Sequence, residues 1–139
     1  MRLLEVKGDL FSSSDCLAHC VSEDLEMGKG IATSFRDKFG QVDVLKSQKR
    51  KPGQVAYISV SGRYIFYLIT KQKYFEKPKY STLYESLVEL RDLCIKYGIT
   101  DVSVPKIGCG LDKLDWNMVK MYLNSIFKDT PIAITVYSI

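Results

Sequence analysis

The sequence predicts an α/β fold, a three-layer sandwich of helices around a central mixed β-sheet. Short apolar runs rich in β-branched and aromatic residues alternate along the chain with longer segments whose apolar residues recur at helical spacing. Two glycine-containing loops each lead from a predicted strand into a predicted helix. The chain has 139 residues and neither an internal repeat nor a linker, so one domain spanning residues 1–139 is expected.

In the first half of the chain, strand and helix signals are separated by turn residues. Alternation of apolar and charged side chains indicates the first strand, and an almost wholly apolar run indicates the second. Gly40 suits the position that follows a helix. The predicted elements are strands at residues 3–6 and 16–21, a helix that ends at Phe39, and a short helix from residue 42 to about residue 50.

The second half begins with two β-rich runs joined by Ser61-Gly62-Arg63, which predicts a hairpin or meander. Ser81, with Glu85 nearby, is expected to cap a helix that buries leucines at helical spacing and ends at Tyr97-Gly98. The remaining predicted elements are strands at residues 55–60, 64–70, 99–104 and 132–139, and a helix at residues 116–127.

Composition restricts the class of protein. Hydrophobic residues make up 46% of the chain and charged residues 26%, which is ordinary for a globular domain. No apolar run approaches a membrane span and the N-terminus does not resemble a signal peptide, so a nuclear or cytoplasmic, non-secreted protein is expected. The four cysteines are scattered, which favours reduced thiols over a zinc site.

The net charge of +4 includes one basic cluster, Lys46, Lys49, Arg50 and Lys51. Such a cluster can contact nucleic acid phosphates. It carries no interleaved aromatic residues, however, so a solvated helix end is the favoured interpretation.

Both glycine loops can bring backbone N–H groups close to an anion at a helix N-terminus. One contains Gly28 and Gly30, and the other contains Gly108 and Gly110. If the two loops converge at the carboxyl ends of neighbouring strands, they can clamp a diphosphate from both sides. The alternative is that these glycines serve only the sterics of tight turns.

Four other polar residues are candidates for a site, each with an ordinary structural alternative. Lys71 follows a buried strand and is either an amine nucleophile or an exposed strand end. Asp112 ends the second glycine loop and is either a base or the cap of the helix that begins at Trp116. Asp9 is either at a ligand rim or in a turn, and His19, within an apolar strand, has the character of a core residue.

Five segments carry a family resemblance when they are taken together and in order. They are residues 6–11 (VKGDLF), 17–24 (LAHCVSED), 27–32 (MGKGIA), 67–71 (YLITK) and 105–112 (PKIGCGLD). This pattern closely resembles the macrodomain family, specifically its terminal ADP-ribose protein glycohydrolase branch, over essentially the whole chain.

The resemblance implies a macrodomain fold that binds ADP-ribose in a cleft at the carboxyl ends of the strands. Lys71 and Asp112 fall on the catalytic positions of this branch. The residues implied in ADP-ribose binding are Asp9, Leu10 and Tyr137 at the adenine end, His19, Ser22, Gly28, Gly30 and Ile31 around the first loop, and Ile107, Gly108, Cys109, Gly110 and Leu111 in the second.

The implied activity is removal of ADP-ribose from glutamate or aspartate side chains of modified proteins, either a terminal unit or a whole chain, through a lysyl-ADP-ribose intermediate. Ser22-Glu23-Asp24 replaces the asparagine-rich loop of the protein-deacylating macrodomains, which argues against a mechanism built on that asparagine and water alone. No metal or other cofactor is implied. Partners are expected to be ADP-ribosylated proteins, no membrane is expected, and the protein is expected to be monomeric, with a role in the DNA damage response.

Two alternatives remain at the level of sequence. The hydrolase can instead act on ADP-ribosylated DNA bases or on O-acetyl-ADP-ribose, because the leaving group lies outside the ADP-ribose pocket. The domain can also be a non-catalytic module that binds ADP-ribose without cleaving it.

Overall fold

Six strands form a mixed sheet in the computed structural model, which describes residues 1–110 and 112–139. The strand order is β1-β6-β5-β2-β4-β3, and only β3 runs antiparallel to its neighbour. The strands are β1 (Arg2–Lys7), β2 (Cys16–Ser22), β3 (Val55–Val60), β4 (Arg63–Lys71), β5 (Asp101–Pro105) and β6 (Ala133–Ser138), and the helices are α1 (Ile31–Phe39), α2 (Val42–Ser47), α3 (Tyr80–Tyr97) and α4 (Trp116–Phe127).

Alternation along β4 separates the two sides of the sheet. Ile65, Tyr67 and Ile69 pack into the cluster that contains residues of α1 and α2, while Phe66 and Leu68 pack with residues of α3 and α4. Successive side chains of a strand point to opposite faces, so an apolar strand supplies two cores at once. The predicted three-layer α/β fold is therefore confirmed.

The topology gathers the candidate residues at one edge of the sheet. Strands β1, β6, β5, β2 and β4 run in the same direction, so their carboxyl ends and the segments that follow them lie along the same edge. Ser22 and Lys71 are direct partners in the register of β2 with β4, beside an irregularity between Val21 and Ser22. The break in the strand order between β2 and β5 is where such sheets open a crevice for ligands.

Two predicted helix bounds are wrong. Helix α3 begins at Tyr80 and follows Lys79, so Ser81 lies inside its first turn and does not cap it. Helix α2 ends at Ser47 and not near residue 50. The amide of Gln48 pairs instead with the backbone of Tyr57, at 2.7 Å to its carbonyl oxygen and 3.0 Å from its N–H, which turns the chain toward β3.

The strand predicted to start at Ile99 starts at Asp101. The N–H of Ile99 donates to the carbonyl oxygen of Cys94 at 2.8 Å, so this residue closes the end of α3 and does not join the sheet. Within the described residues, no helix is both long enough and apolar enough to cross a lipid bilayer.

Candidate active site

Lys71 and Asp112 form an ion pair at the carboxyl edge of the sheet. The Lys71 Nζ lies 2.7 Å from Asp112 Oδ1. The two side chains are only 13% and 20% exposed, so water screens the pair less than it screens an ion pair on the open surface. The last residue of β4 thus supplies the cation of this pair, and the segment after β5 supplies the anion.

The ordinary structural alternatives for these two residues do not hold. The cap of α4 is Asp115, whose side chain accepts a hydrogen bond from the N–H of Asn117 at 2.9 Å. Asp112 therefore does not cap that helix. Lys71 is paired and largely covered, so it is not an exposed strand end.

Asp24 organises the first loop, which we define as residues 23–30 between β2 and α1. Its Oδ1 accepts from the Ser22 hydroxyl and, at 3.3 Å, from the N–H of Glu26, while Oδ2 accepts from the N–H of Tyr74 at 2.9 Å. Burial alone would raise the pKa of the Asp24 carboxyl, but these hydrogen bonds outweigh it and lower the pKa below its ordinary value. One ionised carboxylate thus ties the first loop to the loop after Lys71.

Sequence analysis missed this role and treated Asp24 only as part of a departure from a family motif. The available signal was a serine two residues before an aspartate at a strand end, a spacing at which the two side chains can bond to each other and to nearby N–H groups.

Helix α1 begins at Ile31, directly after the first loop, with Gly30 at φ +61°. Gly28, Gly30 and Ile31 are exposed around the helix N-terminus, where unpaired N–H groups and the helix dipole favour an anion. Placement of these three residues agrees with the predicted phosphate loop, whose ligand contacts remain a prediction.

The second loop, residues 106–110 and 112–115, is closed by its own backbone. The N–H of Leu114 donates to Gly108 at 2.7 Å, and the N–H of Lys113 donates to Gly110 at 3.2 Å. Gly108 has φ +71°, and a Cβ there would lie 2.9 Å from Leu114 Cδ1. Gly110 is exposed, and among the described residues, its chain neighbours aside, no heavy atom lies within 4 Å of such a Cβ.

The other predicted residues of this loop differ in accessibility. Ile107 is buried in the core, so only its backbone is available to a ligand, and Cys109 is half-buried. Leu111 lies outside the described residues.

Cys20 lies near Lys71 and Asp112 and was not predicted as part of the site. Burial raises the pKa of its thiol well above the ordinary value, and the negative charge of Asp112 adds to that effect. A protonated thiol is a poor nucleophile, so Cys20 is not suited to that role.

At the side of the sheet formed by β1 and β6, the structure brings three predicted residues together. Asp9 caps a 3₁₀ turn by accepting from the N–H of Phe11 at 3.0 Å, and Leu10 is buried. Tyr137 packs over Gly8, with ring carbons 3.8 and 3.9 Å from the position of a Cβ there. Asp9 can serve both as a turn residue and at a ligand rim. Its Oδ1 accepts the hydrogen bond of the turn, and the residue is exposed, so Oδ2 stays available to a ligand.

The structure contradicts the assignment of His19 to ligand contact. The residue is 1% exposed, and its ring stacks on Phe35 with 3.7 Å between the centroids. Burial lowers the pKa of His19 to about 3, so the imidazole is neutral. The alternation of β2 turns this side chain into the core under α1, away from the cleft, as the residue's apolar neighbours indicated.

The described residues contain no group of three or more His, Cys, Asp and Glu side chains arranged to hold a metal ion.

Comparison with known proteins gives a consistent result. No family model matches the sequence. The chain is 49% identical over 140 residues to the ADP-ribose glycohydrolase OARD1 of Homo sapiens, a match covering 99% of this chain and 92% of that protein. It is 27% identical over 134 residues to a DNA ADP-ribosyl glycohydrolase of Mycobacterium tuberculosis, covering 89% of this chain and 38% of that protein.

Among solved structures, the macrodomain of Thermus aquaticus DarG superposes with a TM-score of 0.89 at 22% identity. This match covers 99% of the chain and 98% of that structure.

Proposed function

The chain belongs to the macrodomain family, in the ADP-ribose glycohydrolase branch, and we propose that it releases ADP-ribose from glutamate and aspartate side chains of modified proteins. The bond cleaved joins C1″ of the distal ribose to the side-chain carboxylate. The glycohydrolase OARD1, to which the chain is 49% identical, supports the reaction class.

The observation that carries the proposal is the shielded ion pair of Lys71 and Asp112. A pocket that only binds ADP-ribose needs neither an amine nor a carboxylate at 2.7 Å from each other at the ribose end. A covalent hydrolase needs both, because the amine must lose a proton before it attacks and a base must receive it.

In the first step, a proton passes from Lys71 Nζ to the carboxylate of Asp112. The free electron pair of the amine forms a bond to C1″ as the C1″–O bond breaks. The protein carboxylate leaves with the electrons of the broken bond and takes the proton from Asp112, which is ionised again. Backbone N–H groups of the two loops hold the diphosphate, so that C1″ is presented to the amine. The product is an adduct in which Lys71 is bonded to C1″ of ADP-ribose.

In the second step, Asp112 accepts a proton from water as the water oxygen adds to C1″. The C1″–N bond breaks, the amine regains a proton, and free ADP-ribose leaves. The neutral Cys20 thiol near the pair does not compete for C1″.

The test compares Lys71→Ala with Lys73→Ala, which removes an exposed lysine two residues further on. Lys71→Ala should lower the rate on a glutamate-linked substrate by at least about 100-fold while free ADP-ribose still raises Tm. Lys73→Ala should retain most of its turnover on that substrate. If free ADP-ribose leaves Tm unchanged at about millimolar concentration, both the hydrolase and the binding-module hypotheses fail.

Asp112→Ala separates the covalent mechanism from direct attack by water. If the carboxylate is needed mainly for the second step, intact-protein mass spectrometry should find a species heavier by one ADP-ribose less one water, with the modification on Lys71. Lys71→Ala/Asp112→Ala should show none. Unimpaired turnover by Asp112→Ala, or an adduct on another lysine, would remove this mechanism.

A second candidate substrate is ADP-ribose linked to a DNA base. Tyr74 and Phe75 are 55% and 73% exposed, and their rings form an edge-to-face pair 5.4 Å apart. They follow Lys71 closely and are flanked by the exposed Lys73 and Lys77. Exposed aromatic rings among cations suit stacking on single-stranded bases, and a mycobacterial relative is a DNA ADP-ribosyl glycohydrolase.

Tyr74→Ala/Phe75→Ala tests this second substrate. The variant should lose about tenfold or more in kcat/KM on ADP-ribosylated single-stranded DNA. Its turnover of a modified glutamate peptide serves as the control. Equal activity of wild type and variant on the DNA substrate would remove the stacking role.

A further inference from the structure

A second recess lies next to the candidate active site and has no part in the mechanism above. It has a volume of about 290 Å³ and lies between the first loop, the end of α2 with the turn after it, and β4. Its lining residues are Glu23, Leu25, Leu45, Lys46, Lys49, Arg50, Lys51 and Ile69.

The recess adjoins the catalytic lysine through the backbone. The N–H of Glu23 donates to the carbonyl oxygen of Lys71 at 2.9 Å. Ile69 precedes Lys71 by two residues, which is roughly 7 Å along a strand. A molecule attached to the group that leaves from C1″ is therefore within reach of this recess.

The lining carries four basic side chains and one acidic one. Lys51 Nζ bonds Glu23 Oε2 at 3.0 Å, while Arg50 stays 3.9 Å from its nearest carboxylate, that of Glu89. Lys46 and Lys49 form no ion pair with any described residue. The recess therefore attracts an anionic ligand.

Two polar atoms of residues that line the recess lack a hydrogen-bond partner among the described residues. They are Glu23 Oε1 and Arg50 Nε, and both are buried. The first requires a donor and the second an acceptor. An acidic polypeptide supplies both, through its backbone N–H groups and its carboxylates, whereas the phosphodiester backbone of DNA supplies acceptors only.

The apolar floor favours the same ligand. Leu25, Leu45 and Ile69 form it, and none of the described residues that line the recess has an aromatic side chain for stacking on a base. We propose that this recess binds acidic residues close to the modified glutamate or aspartate of a protein substrate. An extended peptide rises about 3.3 Å per residue, so residues two or three positions from the modified one can reach it. This inference rests on the proposed function and specifies its substrate class.

The experiment uses two peptides with one ADP-ribosylated glutamate each, one with aspartate and glutamate at the neighbouring positions and the other with serine and glutamine. The wild type should favour the acidic peptide by about tenfold in kcat/KM, mainly through KM, and salt should reduce the preference. Lys46→Glu/Lys49→Glu should abolish or reverse it. O-acetyl-ADP-ribose, which has no peptide, should be hydrolysed equally by both proteins.

Lys96→Glu/Lys128→Glu is the matched control. It makes the same charge change at two exposed lysines near the carboxyl ends of α3 and α4, far from the recess, and should keep the preference. Circular dichroism and Tm should be close to those of the wild type for both variants, because all four lysines are exposed.

Binding of the unmodified acidic peptide is measured separately by NMR. This measurement tests peptide binding at the recess independently of catalytic turnover. Shifts should concentrate on the backbone amides of Lys46, Lys49 and Glu23. Equal rates on both peptides, or no shifts at these amides, would overturn the proposed peptide-binding role of the recess. Either result would leave the proposed glycohydrolase activity unaffected. Absence of any glutamate-ester hydrolysis overturns the proposed function instead. Loss of turnover in Lys46→Glu/Lys49→Glu only on ADP-ribosylated single-stranded DNA would assign the recess to phosphates and overturn the peptide site.

Discussion

The two loops beside Lys71 are held in place by different means. The first loop depends on the charged side chain of Asp24 and on the packing of α1 over the sheet, whereas the second is closed by hydrogen bonds of its own backbone around Gly108. The conformation of the first loop should therefore depend on the ionisation of Asp24 and on the packing beneath α1. That of the second loop should depend on the backbone conformation at Gly108. Each prediction below tests one side of this contrast.

Acid should have the largest effect on stability, and it acts on the side of the sheet that carries the first loop and α1. Neutral His19 is buried there against Phe35 of α1. The pKa of His19 is about 3 in the fold, against about 6.5 in the unfolded chain. Between these values the unfolded state binds the extra proton, so stability falls as pH falls from about 6.5 toward 3. The expected loss is roughly 3 kcal/mol over about two pH units.

Denaturant unfolding at several pH values measures this effect, with His19→Phe as the comparison. Phenylalanine can keep the stacking on Phe35 and cannot be protonated, so the variant should have a flatter stability profile. Parallel pH profiles for the two proteins would show that His19 does not cause the acid sensitivity.

A side chain with negative charge at Gly110 should block the second loop as a phosphate site. Gly110→Glu is expected to weaken ADP-ribose binding by at least about 100-fold, equivalent to about 2.7 kcal/mol, through steric and like-charge conflict. Titration calorimetry measures the affinity and circular dichroism checks the fold. Normal affinity would show that this loop does not hold the diphosphate.

Gly108→Ala and Gly110→Ala form a matched pair for backbone shape. The first places a Cβ 2.9 Å from Leu114 Cδ1 and also requires φ +71°, whereas the Cβ of the second meets no heavy atom of the described residues within 4 Å, its chain neighbours aside. Gly108→Ala should therefore cost about 2 kcal/mol of unfolding free energy and Gly110→Ala less than about 1. Equal Tm values for the two variants would contradict the proposed closure of the second loop.

Asp24→Asn should have the smallest effect, about 1 kcal/mol, because one charged acceptor becomes a weaker one and the other becomes a donor. Since the pKa of Asp24 is lowered in the fold, its contribution is present above the ordinary pKa near 4 and is lost as pH falls through the folded value. The difference in stability between wild type and Asp24→Asn should accordingly shrink in strong acid. A constant difference down to the lowest pH at which the protein folds would contradict this.

The sequence predicted most of the fold because apolar periodicity and glycine positions reflect local physics. The strands of the sheet and helix α4 (Trp116–Phe127) were placed to within about two residues. The misplaced bounds depend on long-range partners: Gln48 leaves α2 for the backbone of Tyr57, which no local pattern reveals.

The sequence singled out Lys71 and Asp112, and the structure brings their side chains together, while their catalytic role stays a prediction. Their ion pair required the sheet order, which brings the ends of β4 and β5 to either side of β2. Asp24, Cys20 and the recess beside Glu23 escaped sequence analysis because each acquires its role from segments far away in the chain. His19 was assigned to the ligand by resemblance, although its apolar neighbours correctly indicated the core.

The pairing of β1 with β6 has a consequence for the order in which the molecule is assembled on the ribosome. Strand β1 is synthesised first, but the strand that pairs with it, Ala133–Ser138, is made more than a hundred residues later. Lys71 and Asp112 need only β2, β4 and β5, all of which are available earlier. The part of the site that contains Lys71 and Asp112 can therefore take shape during translation, while the part that contains Asp9 and Tyr137 must wait for the last strand.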